Sequence, residues 1–450
     1  MFKILTGEDR VKKILGVQEK TADQYRLTHY CVETNVEDGV LLFNQITREL
    51  VHLSHQERAG FANSKEAIEG WFAVPELFDD QALVSSLRDR LCTRPVVPNE
   101  IYLYHIFSTV ACNARCHYCF ERGNQTCGSM SVETAEKVAN YIMMHKPEDE
   151  RVLLAWFGGE PLLNTIAIDK ISDVLNQNSF EFDAIMATNA FLITDEIIEK
   201  AKTSWRMRTW NITIDGTETV YNATKNYVVT CESPYKKVIS NIRKLLDAGF
   251  RVNIRLNLGV HNSEDLLHLV DELYATFGKR DKFCVYCATL YERQLEKLEP
   301  RTPEDEMIVR TKEKELYDKV VSLGLLEPRL SQELKVYRCN PDMGWAVSVL
   351  PDGKLGWCED YVDKKIISHI DSDTFDVDMI NTFKERYDDL PECEICPLYP
   401  DCIRLKKCDI DTPWCTKQKR DVKIHKIRTV MEIEYRLFVN SCGGKRLEKS

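Results

Sequence analysis

The chain has 450 residues, 44% of them hydrophobic, and a formal net charge of -11 at pH 7. This length allows two or three domains with sizeable cores, and the acidic balance argues against a nucleic-acid surface. No apolar run reaches bilayer length, and the opening residues MFKILTGEDRVKKILG carry charges where a signal peptide needs an apolar core. We therefore expect a cytoplasmic protein that binds neither membrane nor nucleic acid, with its seventeen cysteines serving as metal ligands before disulfides.

Residues 1–95 are predicted to form a separate β-then-α module. The segments YRLTHYCVET and VLLFNQITRELVHL, joined by an Asp38-Gly39 turn, predict a hairpin, and SHQERAGF and DDQALVSSLRDRL predict helices. A module of this kind resembles the winged-helix-like peptide-recognition element of enzymes that modify ribosomally made peptides. That resemblance implies capture of a leader peptide as an added strand at the sheet edge. A structural cap on the next domain is the alternative.

From about residue 100, short apolar strands alternate with amphipathic helices, the signature of successive βα units on a parallel sheet. The six predicted strands span 101–107, 151–157, 182–188, 208–214, 251–258 and 282–290. The five predicted helices between them span 131–145, 164–177, 194–204, 233–249 and 263–277. Six such units are too few for a closed eight-stranded barrel.

Three cysteines follow the first strand in ACNARCHYCFERG, spaced as Cys112-x3-Cys116-x2-Cys119. Three thiolates can hold a four-iron cluster and leave one iron open to a substrate or cofactor. The alternative is a structural zinc site, which usually has four protein ligands in paired CxxC or CxxH steps. A fourth partner of that kind does not lie nearby in the sequence.

The second strand ends in Trp156-Phe157-Gly158-Gly159-Glu160-Pro161. Its glycines let the backbone approach a ligand, and the following carbonyls and carboxylate can receive an ammonium group. With the cysteine triad and Tyr118 before its last cysteine, this motif resembles the GGEP motif of radical S-adenosylmethionine (SAM) enzymes. The resemblance implies a partial (β/α)6 TIM-like barrel with a 4Fe-4S cluster on the triad. It also implies that SAM binds the open iron and is cleaved to a 5'-deoxyadenosyl radical.

Further positions at the carboxyl ends of the strands match the same family. Thr188-Asn189 resembles its Thr-Asn-Gly turn, although Ala190 replaces the glycine, and Asp215-Gly216 resembles its Asp-Gly turn. Arg255 and Asn257 alternate on one face of the fifth strand. The resemblance implies that Asn189, Asp215, Arg255 and Asn257 contact the ribose or carboxylate of SAM. The alternative is that they are turn formers and an arginine paired with a carboxylate.

Seven cysteines lie between residues 339 and 415, namely Cys339, Cys358, Cys393, Cys396, Cys402, Cys408 and Cys415. Their pattern resembles the SPASM extension of peptide-modifying radical SAM enzymes, which holds two auxiliary 4Fe-4S clusters. The sixth cysteine departs from that pattern, because five residues separate it from the fifth where the family has three. One or two zinc knuckles are the alternative.

The resemblance also implies how these cysteines are shared. Cys393, Cys396, Cys402 and Cys415 would bind an outer cluster, and Cys339, Cys358 and Cys408 an inner one. The inner cluster lacks a fourth ligand. Cys284 or Cys287 would supply it, or the iron would stay open to a substrate thiolate, and both cysteines fit ordinary buried positions equally well.

The remaining cysteines are not expected to be ligands. Cys31, Cys92, Cys127 and Cys231 are isolated in the sequence, and Cys442 lies in the tail SCGGKRLEKS. Before that tail, KQKRDVKIHKIRTVMEIEYRLFV predicts a closing helix.

The sequence thus predicts a peptide-recognition-like module at 1–95, a radical SAM partial barrel at 96–325, a cysteine-rich SPASM domain at 326–420 and a C-terminal helix and tail at 421–450. The expected activity is thioether formation between a cysteine sulfur and a carbon of a ribosomally synthesised precursor peptide with a leader. Expected cofactors are SAM and three 4Fe-4S clusters, with a flavodoxin or ferredoxin as electron donor. A carbon-carbon crosslink, formylglycine formation as in sulfatase-maturating enzymes, and a cluster-holding electron carrier or scaffold are the alternatives.

Overall fold

The N-terminal part of the chain is a small antiparallel sheet flanked by helices. The computed structural model describes residues 1–92, 95–98, 100–119, 121, 128–147, 151–229, 231–290, 301–360, 365–408 and 411–441, so the predictions for Cys127 and Cys442 lie outside the described residues. The first strands are β1 (Phe2–Thr6), β2 (Tyr25–Leu27), β3 (Cys31–Val36), β4 (Gly39–Asn44), β5 (Glu49–Leu53) and β6 (Ala73–Pro75). The first helices are α1 (Asp9–Leu15), α2 (His55–Gly60), α3 (Lys65–Glu69) and α4 (Asp80–Leu91).

The sheet of this module has the order β1-β5-β4-β3, and all its neighbours are antiparallel. The predicted Asp38-Gly39 turn joins β3 to β4, with Val36 opposite Gly39. The segment predicted as the second arm of the hairpin forms two strands, β4 and β5, because the chain reverses at a turn in which Arg48 has a φ of 61°. Every residue of β4 and β5 is buried, so both faces of the sheet are covered.

The six predicted barrel strands are present and pair in parallel. They are β7 (Leu103–Thr109), β8 (Val152–Gly158), β9 (Phe182–Thr188), β10 (Met207–Ile214), β11 (Arg251–Leu258) and β12 (Phe283–Thr289). The helices between them are α5 (Val132–Met144), α6 (Thr165–Gln177), α7 (Asp195–Lys202), α8 (Glu218–Lys225), α9 (Pro234–Asp247) and α10 (Ser263–Phe277). All except α8 were predicted.

Strand alternation separates a helix-packed face from an inner face. Trp156, Ile212 and Ile254 are fully buried in the main hydrophobic core with the helices. Arg255 and Asn257 lie on the opposite face of β11, next to Tyr286 and Ala288 of β12. Polar side chains therefore line the inner face and the ends of the strands, where a partial barrel builds its site.

The C-terminal third continues the same sheet. Its elements are α11 (Pro303–Ser322), β13 (Ala346–Val349), β14 (Lys354–Gly356), β15 (Ile366–His369), α12 (Val377–Lys384) and α13 (Lys417–Ser441). Strand β13 pairs in parallel with β7, which extends the sheet to nine strands in the order β12-β11-β10-β9-β8-β7-β13-β14-β15. Among the described residues, we found no helix with both the length and the apolar character needed to cross a bilayer.

The closing helix α13, which the sequence predicted, packs on the N-terminal sheet. Val430 and Met431 share a hydrophobic cluster with Val32 and Phe43 of that sheet. On the other side of the helix, Lys426 pairs with α11 through Glu313. Helix α13 thereby connects the N-terminal sheet with α11.

Candidate active site

The cysteine triad lies in the loop after β7 and is tied to the end of α8. The Arg115 amide donates to the Lys225 carbonyl at 2.8 Å, and the Val228 amide donates to the Asn113 carbonyl at 2.9 Å. The three cysteines are partly buried thiols. Burial raises the pKa of Cys112 to about 11, with smaller contributions from Glu160 and the other two cysteines. The loop therefore holds three sulfurs near one another at the carboxyl end of the sheet.

Gly158 and Gly159 allow β8 to end directly against this cysteine loop. A Cβ added at Gly159 would lie 2.2 Å from the Ala111 carbonyl oxygen, and one at Gly158 would lie 2.2 Å from that of Thr109. The Glu160 amide donates to the Ala111 carbonyl at 2.9 Å. The sequence predicts that these glycines let the backbone approach a ligand. In the structure they permit approach of the loop that carries the triad.

The Glu160 carboxylate is fully buried and is held by donors of the fold. It accepts from Thr188 Oγ1 at 2.7 Å, the Asn189 amide at 2.8 Å and the Leu162 amide at 3.2 Å. Burial raises the pKa of Glu160, although these three donors oppose the shift. Glu160 thereby joins the ends of β8 and β9.

Asn189 connects the end of β9 to the triad. Its Nδ2 donates to Asn113 Oδ1 at 2.7 Å and lies 4.0 Å from the sulfur of Cys112. Ala190, which stands where the related turn has glycine, has a φ of 61°. The turn therefore keeps the left-handed backbone expected of glycine, and Asn189 lies beside the cysteine loop, while its contact with SAM stays a prediction.

A buried polar cluster lies beneath the triad. The Tyr118 hydroxyl donates to both carboxylate oxygens of Asp215 at 2.8 Å, and Asn257 Nδ2 donates to Asp215 Oδ1 at 2.9 Å. Lys225 Nζ lies 2.9 Å from Asp215 Oδ2 and donates to Thr213 Oγ1 at 2.7 Å. Three residues chosen from the sequence, Tyr118, Asp215 and Asn257, thus meet at one point.

Lys225 is the member of this cluster that the sequence analysis missed. Burial alone would lower the pKa of Lys225, but Asp215 and Tyr118 outweigh burial and raise it. The side chain is therefore a buried cation next to the triad. A sequence signal did exist, since Lys225 follows the buried Tyr221 by four residues and so shares its inward face of a helix.

Arg255 lies on the inner face of β11, apart from this cluster. Its Nε is buried and has no hydrogen-bond partner among the described residues. On the next strand, Cys284 is paired in register with Asn253 and faces the same side, whereas Cys287 is paired with Leu256 and packs against the main core. The two cysteines thus lie on opposite faces of β12.

A second pair of ionisable groups faces the barrel beside Cys358. His105 Nδ1 lies 3.7 Å from Glu359 Oε2, and the Cys358 thiol donates to the same oxygen at 3.3 Å. His105 also contacts the edge of Phe157 of β8. The sequence analysis named neither His105 nor Glu359, because their proximity depends on the pairing of β7 with β13.

Four of the seven C-terminal cysteines line one cavity. This cavity has a volume of about 140 Å³, and its walls include Cys393, Cys396, Cys402 and Cys415. Its basic lining residues are Lys335, Arg338, Arg404, Lys419, Arg420 and Lys423. Asp401 and Asp411, two of its acidic residues, are paired with Arg48 and Arg338 respectively. The cavity therefore combines four thiols with an excess of positive charge.

The other C-terminal cysteines are partly buried. Burial raises the pKa of Cys339 to about 11, and Cys408 is close enough to add to that shift. Burial also raises the pKa of Cys358, and the charge of the neighbouring Glu359 is the next largest cause of that rise. Within the described ranges, no three His, Cys, Asp or Glu side chains are placed to hold a single metal ion. Of the cysteines expected not to be ligands, Cys31 packs in the N-terminal module, Cys92 contacts Met343 and Cys231 is exposed.

Comparison with known sequences identifies the barrel. Residues 106–273 match the model of the radical SAM superfamily. An uncharacterized protein of Methanocaldococcus jannaschii is 35% identical over 96 residues, which are 21% of this chain and 32% of that protein. The radical SAM cyclopropyl synthase TigE of Paramaledivibacter caminithermalis is 23% identical over 245 residues, 48% of this chain and 50% of TigE. The chain therefore matches half or less of the length of these curated relatives.

Comparison with solved structures supports the same fold. The structure of anSMEcpe with bound AdoMet and Kp18Cys peptide covers 75% of this chain and 99% of its own, with 15% identity and a TM-score of 0.57. Streptococcus suis SuiB bound to the precursor peptide SuiA covers 84% of this chain and 94% of its own, with 14% identity and a TM-score of 0.51. The superfamily match assigns residues 106–273, with the triad at the end of β7, to a radical SAM domain, and the two solved structures share its fold.

Proposed function

We propose that this enzyme is a peptide maturase that joins a cysteine sulfur to a carbon atom within a ribosomally synthesised precursor peptide. The observation that carries the proposal is the combination of two cysteine sites, the triad at the barrel rim and the four-cysteine cavity of the C-terminal third. A reaction whose product has lost two hydrogens releases an electron that needs an acceptor. The second site would supply that acceptor. The peptide substrate is supported by SuiB and anSMEcpe, which are described with bound peptides.

At the rim, Cys112, Cys116 and Cys119 would hold a 4Fe-4S cluster, and the glycines of Gly158-Gly159-Glu160-Pro161 bring β8 against that loop. The bound cluster and SAM would supply a 5'-deoxyadenosyl radical. The proposed SAM contacts are Tyr118, Asn189, Asp215, Arg255 and Asn257, and the buried cation of Lys225 joins them. The hydrogen bonds that join Tyr118, Asp215, Lys225 and Asn257 fix the orientations of these four side chains before a ligand binds.

Cys393, Cys396, Cys402 and Cys415 are proposed to hold the outer auxiliary cluster. A cluster with four thiolate ligands is an anion, and the excess of basic over acidic side chains in the described wall of the cavity would match that charge. Cys339, Cys358 and Cys408 are proposed to hold the inner cluster. The contact of Cys358 with Glu359, which faces His105, supports a position next to the barrel interior.

The proposed thioether reaction balances as follows. One hydrogen atom would leave a peptide C-H bond and end in 5'-deoxyadenosine. The carbon would then bond to the cysteine sulfur, whose hydrogen would leave as a proton, and clusters held by the C-terminal cysteines would accept the surplus electron. A flavodoxin or ferredoxin is proposed to supply the electron that starts each cycle.

Residues 1–95 are proposed to recognise the leader of the precursor. The support is an antiparallel sheet whose outer strands, β1 and β3, are the edges at which an extended peptide adds. A structural cap is the alternative for this module. Within the same class, a carbon-carbon bond is the alternative product, and the similarity to the cyclopropyl synthase TigE favours it over formylglycine formation.

Coexpression with a candidate precursor tests the proposal. A short cysteine-rich reading frame beside the gene is the first choice, and the isolated peptide is analysed by mass spectrometry before and after alkylation of free thiols. We expect a loss of two hydrogens and one fewer alkylated thiol, both abolished by Cys112→Ala. An unchanged thiol count with the same mass loss would indicate a carbon-carbon bond, and reaction with a hydrazide probe would indicate an aldehyde. An unmodified peptide with every neighbouring precursor would contradict the proposal.

A further inference from the structure

We propose that Arg88 and Arg48 of the N-terminal module position the loop between Cys396 and Cys402, so that this module completes the outer auxiliary site. The inference rests on the proposed function insofar as these cysteines bind a cluster. It adds a role for the N-terminal module that is independent of leader recognition.

Arg88 holds the end of the turn that precedes Cys402. It projects from α4, and its Nη2 donates to the carbonyls of Tyr399 at 2.5 Å, Pro400 at 3.0 Å and Cys402 at 3.3 Å. These carbonyls lie in and directly after the 3-10 turn Tyr399–Asp401, where the Tyr399 carbonyl also accepts from the Cys402 amide at 3.0 Å. The guanidinium carbon also lies 4.8 Å from the centre of the Tyr399 ring. Arg88 is 7% exposed, so water cannot readily replace it.

Arg48 and Gln45 hold the same loop from the turn between β4 and β5. The buried Arg48 guanidinium pairs with the Asp401 carboxylate, and Gln45 Nε2 donates to the Pro397 carbonyl at 2.7 Å. Asp401 also accepts from the Lys335 amide at 2.9 Å. Five residues separate Cys396 from Cys402, and two of them are fixed by these contacts.

An apolar cluster joins the module to the cysteine site. Tyr30, Val84 and Leu87 of the module pack with Tyr399, and the partly buried Cys393 and Cys396 lie against this cluster. The Tyr30 and Tyr399 rings are stacked with their centres 5.6 Å apart. The polar and apolar contacts therefore act on one loop, which carries two of the four proposed ligands and lies next to a third.

These contacts couple cluster binding to the order of the module. Removing the Arg88 guanidinium takes this donor from all three carbonyls, of which that of Tyr399 keeps the Cys402 amide. The loss destabilises the loop conformation that places the four cysteines in the wall of one cavity. By thermodynamic linkage, a group bound at the four cysteines must in turn stabilise α4 and the β4–β5 turn. Arg88 and Arg48 are thus positioning residues that act through the loop.

The test compares Arg88→Gln with Arg90→Gln in the full-length protein. Arg90 lies on the same helix and is exposed, so it is a matched control. After reconstitution, wild type and R90Q should hold about twelve irons and R88Q about eight, from the count of irons in each 4Fe-4S cluster. Cleavage of SAM without peptide should be unchanged in R88Q, because the triad is distant in sequence and fold from this loop. Arg88→Lys should restore the lost irons only in part, since a flexible ammonium lacks the planar guanidinium that packs against the Tyr399 ring.

A reciprocal measurement covers the case in which R88Q misfolds. With Cys396 and Cys402 both changed to Ala, hydrogen exchange of α4 should rise by about tenfold, within the usual range of coupling, while that of the barrel helix α7 stays constant. Unchanged exchange in α4, or an R88Q protein with the wild-type iron content and wild-type cluster spectra, would overturn this inference alone. A wild-type protein with only about four irons would overturn both this inference and the proposed auxiliary clusters.

Discussion

At the level of single residues, the site depends on an ion pair that is buried away from water. The side chains of Lys225 and Asp215 are 3% and 0% exposed, respectively. Asp215 also receives hydrogen bonds from Tyr118 and Asn257, whereas Lys225 has Thr213 and the Tyr118 hydroxyl as its other polar partners. Loss of either charge leaves the other uncompensated in the interior, at a cost well above that of a surface pair.

Lys225→Met should therefore destabilise the barrel by about 3–5 kcal/mol, the usual cost of removing one partner of a buried pair. Adding Asp215→Asn should recover part of this loss, because the double variant has no buried charge. Chemical denaturation of the three proteins measures their free energies of unfolding. Lys202→Met is the control, since Lys202 is exposed and pairs, among the described residues, with Glu199. Equal stability of K225M and K202M would show that the pair does not stabilise the fold.

Gly159→Ala should displace the cysteine loop. The new Cβ would lie 2.2 Å from the Ala111 carbonyl oxygen, which is backbone and has no side-chain freedom to move aside. We expect a destabilisation of about 1–3 kcal/mol, as for other overpacked sites, together with loss of iron from the triad. Gly60→Ala is the control, because no atom lies within 4 Å of its added Cβ. A G159A protein with full iron content and wild-type melting temperature would contradict the assigned role of this glycine.

At the level of secondary structure, the barrel strands are predicted from the sequence to within two residues because they are long and apolar. Strands β13, β14 and β15 are missed, since each has three or four residues and β13 is stabilised by pairing with the distant β7. Helix α8 is missed because it is short and its stability comes from packing of its inward face. The triad and GGEP were readable as motifs, whereas Lys225 and Arg88 acquire their roles only through tertiary contacts.

The contact between α11 and α13 depends on the carboxylate of Glu313. It lies 2.6 Å from both Lys426 Nζ and Arg310 Nη1. Burial would raise the pKa of Glu313, but Lys426 and Arg310 outweigh burial and hold it below its usual value. The pair therefore stabilises the fold above the ordinary pKa of glutamate, and this contribution is lost as pH falls through the lowered pKa.

Glu313→Gln should destabilise the protein at neutral pH by about 1–3 kcal/mol, less than a fully buried pair because Lys426 is partly exposed. The difference from wild type should shrink as pH falls below the ordinary pKa of glutamate and be lost as it passes through the lowered pKa of Glu313. Thermal unfolding as a function of pH measures both effects. Glu315→Gln, on the exposed side of α11, should change stability by no more than about 0.5 kcal/mol. An E313Q effect independent of pH would contradict the electrostatic explanation.

At the level of the whole molecule, the three predicted domains are joined by shared elements. Strand β13 makes the C-terminal third part of the barrel sheet, and α13 packs on both the N-terminal sheet and α11. Arg88 and Arg48 join the N-terminal module to the outer cysteine loop. A change at the outer cysteine site is therefore expected to alter the module proposed to bind the leader. A change in that module is likewise expected to alter the cysteine site.

The reaction proposed for this protein is abstraction of hydrogen from a precursor peptide. The most direct test follows deuterium from a fully carbon-deuterated precursor into 5'-deoxyadenosine, using reconstituted full-length enzyme, SAM and a reductant. We expect deuterium in 5'-deoxyadenosine and a crosslinked peptide, with neither formed by the variant that has Cys112, Cys116 and Cys119 changed to Ala. If the protein at full iron content cleaves SAM but transfers no deuterium from any precursor encoded beside its gene, hydrogen abstraction from a peptide would be contradicted.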